Sequence, residues 1–105
     1  MPQFNGKTLF VSRHLGAVQW IKTQPIKIDR FVSHLDVSEI NTGDRVIGSL
    51  PVHLVAQVCA AGAEYWNLSL EMPAELRGQE LSREQLEHLS ARLERYSVQL
   101  ESGLL

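Results

Sequence analysis

The chain has 105 residues, 44% apolar and 21% charged, with a net charge of −2, which is the makeup of one globular domain with its own core. That charge argues against coating DNA or RNA by counterion release, and no run approaches the roughly 18 apolar residues of a bilayer span. The opening MPQFNGKT has neither the basic nor the long apolar region of a secretory leader, so the expectation is a cytoplasmic protein with no membrane or long nucleic-acid partner.

Lys7 to Ser12, with Leu9-Phe10-Val11, reads as a buried central strand. Gly16 to Thr23 reads as a short helix with Ala17, Trp20 and Ile21 on one face, stopped by Pro25. Asp29 to Leu35 is a second strand around Phe31-Val32, followed by a connector ending in the turn Asn41-Thr42-Gly43-Asp44. Arg45 to Ser49 is a third strand. Pro51 then opens a helix, where its missing N–H costs nothing, and Gly62 closes it. Cys59 lies inside that helix's apolar pattern and is expected to be a buried, inert thiol in a reducing compartment.

Tyr65 to Leu70 alternates, with Trp66, Leu68 and Leu70 on one side and Tyr65, Asn67 and Ser69 on a wetter one. After the polar loop Pro73 to Glu80, Ser82-Arg83-Glu84-Gln85 has the form of a capping box. The spacing of Leu86, Leu89, Leu93 and Val98 or Leu100 predicts a final helix to about Leu100, with His88 on its solvated face. The order β-α-β-β-α-β-α implies an α/β domain, a mostly parallel sheet of about four strands with helices on both faces.

In such sheets ligands bind beyond the carboxyl ends of the strands. Ser12-Arg13-His14 ends the first strand, His34-Leu35-Asp36 the second, and Ser49, with His53 close behind, the third. Three of the four histidines are thus expected on one rim. Arg13 carries a permanent fork matched to phosphate oxygens, His14 can take or give a proton near neutral pH, and Ser12 can hydrogen-bond a phosphate or a ribose hydroxyl. Read as residues alone, the triplet is either this anion site or a solvated turn with Arg13 in a surface ion pair. Ser49 and His53 at a helix start are a second anion-friendly corner or an N-cap beside an exposed histidine. His34 and Asp36 share a strand face, and with His14 and His53 could supply four metal ligands, though their spacing fits no short metal signature. Charge is uneven: six Lys and Arg against four Asp and Glu in residues 1–50, four against eight in 51–105. A small anion gripped by a few cations therefore suits the chain better than a polyanion. Trp20, Trp66 and Tyr65 follow the apolar periodicity and are expected in the core or an interface, not as base-stacking platforms.

The strings VSRH-LGA, HLD, GDRVIGSLPVHL, QVCAAGAEYWNL and the P-x-x-x-R-G-x-E-L-S of Pro73 to Ser82 together resemble the Csx-sixteen family of small type III CRISPR accessory proteins, over roughly residues 8 to 98. The chain carries Leu15 where that family commonly has proline. The resemblance implies a Rossmann-like domain related to the CARF nucleotide sensors, working as a homodimer. It also implies a ring nuclease that opens cyclic tetra-adenylate without metal or other cofactor, leaving linear di-adenylates with 2′,3′-cyclic phosphate ends. On that basis Ser12, Arg13 and His14 are the expected catalytic residues, with Gly16, His34, Asp36, Ser49 and His53 lining the ligand site. Two other readings stay open: a protein that binds the cyclic nucleotide without cutting it, and an interaction subunit whose polar rim is incidental.

Overall fold

The computed structural model describes residues 6–105; most of the N-terminal stretch on which the leader reading rests lies outside them. In chain order the elements are β1 (Thr8–Val11), α1 (Leu15–Ile21), β2 (Arg30–Val32), β3 (Arg45–Gly48), α2 (Val52–Ala60), β4 (Glu64–Ser69), α3 (Arg83–His88) and β5 (Arg92–Tyr96). Short 3₁₀ turns at Val37–Glu39 and Ala74–Leu76 interrupt the two long connections. The result is a small α/β domain with one five-stranded mixed sheet, ordered β2-β1-β3-β4-β5. β1 pairs in parallel with β2 and β3, and β3 with β4, while β5 runs antiparallel to β4.

Every residue of β1 is buried, as its continuous apolar run requires of a strand with neighbours on both sides. Successive side chains point to opposite faces, so the strands feed two clusters. Leu9, Val11, Val46 and Tyr65 meet Val55 and Val58 of α2. Phe10, Ile47 and Leu68 meet Ala17, Trp20 and Ile21 of α1 and Leu86 of α3. Asp44, buried beneath the amino-terminal edge, accepts from the amides of Lys7 at 3.0 Å and Asn41 at 2.9 Å. It thereby ties the predicted Asn41–Asp44 turn to the start of β1.

Two expectations need correction. The last helix does not reach Leu100. Its capping box forms as predicted, but it stops after His88, and Ser90 adopts a left-handed φ of 60°. The chain then becomes β5, with Leu93 opposite Leu68 and Arg92 opposite Ser69. Leu86, Leu89 and Leu93 suit a helical stripe, but a helix there would leave one edge of β4 with unpaired amides and carbonyls. The strand satisfies them and still sends Leu93 into the cluster around Phe10. The second concerns the side of β4 read as the wetter one: Tyr65, expected in the core or an interface, is only 1% exposed beneath α2, and Asn67 and Ser69 beside it are half-buried. Trp20 is buried as predicted, Trp66 is half-buried, and Cys59 is half-buried rather than enclosed.

Candidate functional site

From β1 the chain passes through α1 to β2 on one side; from β3 it passes through α2 to β4 on the other. Neighbouring strands whose connections depart in opposite directions leave a crevice at their carboxyl ends, the usual ligand position in open α/β sheets. A cavity of 520 Å³ lies there, within the ~300–1,000 Å³ usual for small-molecule clefts. Its floor includes Phe10, Leu54, Leu68, Leu70 and Leu86, and its rim Ser12, Arg13, His14, Ser33, His34 and Ser49. An apolar floor under a rim of hydroxyls, imidazoles and one guanidinium suits a flat ring carrying a polar or anionic edge.

The β1–α1 corner presents its chemistry outward. The Ser12 amide donates to the Val32 carbonyl at 3.0 Å, and the Ser12 hydroxyl accepts from the His14 amide at 3.1 Å. That local turn fixes the corner while leaving the Ser12 O–H free to donate. Arg13 is exposed and forms no ion pair among the described residues, so its fork is open to an incoming anion. The His14 imidazole contacts the Glu80 carboxylate through Nδ1. Glu80 lies in the loop between β4 and α3, whose residues Met72, Gln79 and Leu81 also line the cavity.

The other predicted groups separate. His34, just past β2, joins the rim. Asp36 does not: it caps the 3₁₀ turn, accepting from the Ser38 hydroxyl at 2.6 Å and the Ser38 amide at 3.0 Å. Those bonds, the hydroxyl's first, hold its carboxyl below the ordinary carboxylate range. Ser49 reaches the rim, but its hydroxyl donates to the Leu68 carbonyl at 3.1 Å. The Leu50 amide donates to the Tyr65 hydroxyl at 3.0 Å, and Pro51 has no N–H. His53 lies outside the crevice, along a groove between α2 and residues 97–102. Gly16 is buried against the chain's own backbone: a Cβ there would sit 1.8 Å from the Leu81 carbonyl oxygen. Three histidines on one rim thus become two, His14 and His34. Among the described residues no three His, Cys, Asp or Glu gather as metal ligands, so the four groups that might have formed such a site are dispersed.

Two contributors escaped the sequence reading. Tyr65 braces the β3–α2 corner: besides accepting from Leu50, its hydroxyl lies 2.6 Å from Asn67 Oδ1 and 3.0 Å from the Gly48 carbonyl oxygen. Burial pushes the phenol's pKa up, partly offset by the Leu50 amide, so it serves as a neutral brace. Glu80 was a loop residue inside the string RGQELS, and nothing local marks its partner. Among the described residues no helix is long and apolar enough to cross a membrane.

A protein-family model described as "Putative CRISPR-associated protein (Cas_VVA1548)" matches residues 9–99 of the chain. The matched span includes both strand-end corners and the Glu80 loop. No curated protein and no solved structure matches it.

Proposed function

Because the chain belongs to the CRISPR-associated Cas_VVA1548 family, we propose that its crevice opens a cyclic oligoadenylate ring, as the Csx-sixteen resemblance implies. The observation that carries this reading is the rim itself. Arg13 without an ion pair among the described residues, the Ser12 hydroxyl and the imidazole of His14 stand together over an apolar floor. A Rossmann-like ancestry is supported by the parallel β2-β1-β3-β4 order and by α2 joining one core cluster while α1 and α3 join the other.

The substrate brings its own nucleophile, the ribose 2′-OH beside each phosphodiester. The protein's task is to turn that hydroxyl in line with the departing 5′-oxygen, receive its proton and stabilise charge on phosphorus. Arg13 takes the charge, Ser12 donates to a phosphate oxygen, and His14 accepts the proton. The 2′-oxygen–phosphorus bond forms as the phosphorus–5′-oxygen bond breaks, and the 5′-oxygen takes a proton from solvent at the open mouth. The apolar floor receives an adenine ring, with His34 at the edge. Since the ring is two-fold symmetric, a homodimer would bring two such crevices to it.

The test is incubation of the purified protein with cyclic tetra-adenylate in EDTA, followed by chromatography. Linear products ending in 2′,3′-cyclic phosphate support the reading. Intact ring co-eluting with the protein would replace it with a non-cutting binder. A ring that neither changes nor raises the melting temperature would leave an interaction subunit, since only a ligand favouring the folded state stabilises it.

A further inference from the structure

The loop from Glu71 to Ser82 carries a motif that the strand-end chemistry alone does not use. Gly78 has a φ of 80°, a left-handed turn that glycine adopts without steric cost, and it reverses the chain just before Gln79 and Glu80. Three residues after Gly78, the Leu81 carbonyl packs so closely on the first turn of α1 that only glycine fits at position 16. The Ser82–Gln85 capping box then anchors the segment to α3. Three local devices therefore converge to set the Glu80 carboxylate against Nδ1 of His14, 66 residues away in sequence. The pair is well exposed, with about two-thirds of each side chain open to water, so it contributes little to folding. An arrangement this particular for so little stability calls for another role.

We propose that Glu80 is a positioning residue for His14: its carboxylate accepts the Nδ1 proton and fixes the tautomer whose basic nitrogen is Nε2. This rests on the ring-opening reading. A neutral imidazole carries one N–H, and the hydrogen bond made at one nitrogen decides which of the two is left as acceptor. With Nδ1–H held by Glu80, Nε2 receives the 2′-OH proton as the 2′-oxygen bonds to phosphorus and the 5′-oxygen departs. The imidazolium so formed faces the carboxylate, which stabilises it. The other charged or titratable groups on the rim are Arg13 and His34; neither is a carboxylate able to do this.

The first measurement needs no substrate. Nitrogen-15 NMR of the ligand-free protein at pH about 8, above the ordinary imidazole range, is expected to show His14 protonated on Nδ1. In Glu80→Ala the signal shifts toward the Nε2–H form. An Nε2–H tautomer in the wild type overturns the proposal, whether or not the ring is cut. The second is a double-mutant cycle on ring opening. Glu80→Ala should lower kcat by roughly tenfold or more, a share of what a general base supplies, with KM within about twofold and the melting temperature unchanged. In a His14→Ala background the same substitution should change nothing, because residues acting as a unit are not additive. Equal losses in both backgrounds overturn it. If the wild type leaves the ring intact while His14 is Nδ1-protonated, the positioning stands and the ring-opening reading falls.

Discussion

The two strand-end corners on either side of the crevice look alike in sequence and differ in what their polar groups are doing. Both put a serine at the end of a parallel strand and a histidine close to the following helix: Ser12 and His14 after β1, Ser49 and His53 after β3. At the first, the backbone is held by bonds that leave the Ser12 proton, the Arg13 fork and one nitrogen of His14 available. At the second, Ser49 donates to Leu68, the Leu50 amide is taken by Tyr65, and His53 lies outside the crevice. The first corner leaves its polar groups turned to the crevice, and the second uses its own to brace the wall opposite. A polar group's partners, and not its type, decide which role it takes.

The comparison breaks most sharply if the open corner can be emptied without consequence. Arg13→Ala or His14→Ala should slow ring opening by about a hundredfold, the loss typical of one charge-stabilising or proton-transferring group. Wild-type turnover in both would end the assignment. Next in size is Gly16→Ala, which sets a methyl against the Leu81 carbonyl. It should cost about 3 kcal/mol, the upper end for overpacking, measured as a fall in urea midpoint with an unchanged slope. An undisturbed midpoint would mean that the first turn of α1 and the Glu80 loop are not locked together.

The braced corner is probed by Tyr65→Phe, which strands the Leu50 amide without its acceptor. A loss of about 1–3 kcal/mol is expected for such a group, read in the same denaturation experiment. No change would mean the tyrosine is filling space and not bracing. The smallest effect belongs to His53→Ala, expected to leave both turnover and stability within error because the side chain is exposed on α2 away from the crevice. A severalfold loss of turnover would return His53 to the site and blur the contrast between the corners.

Much of this was legible in the chain. The run Leu9-Phe10-Val11, the Asn41–Asp44 turn, the proline-opened helix and the capping box at Ser82 are signals of short range, and each formed where its pattern placed it. Strand and helix alternation fixed an α/β sheet, and the strand-end rule pointed to the crevice that Ser12, Arg13, His14, His34 and Ser49 share. Residues 89–96 were misread because leucines spaced for a helix are also compatible with a strand. The choice between them was made by β4, whose edge needed a partner.

The sequence by itself determined which residue types stand at each strand end, because local periodicity and turn chemistry act over a few residues. Only the tertiary structure decided how those groups are used. Which amides are already bonded, which histidine faces the crevice, why position 16 must be glycine and which carboxylate meets His14 all depend on contacts between segments distant in the chain. Such contacts follow from how the sheet is ordered and its helices packed, and no spacing along the chain encodes them.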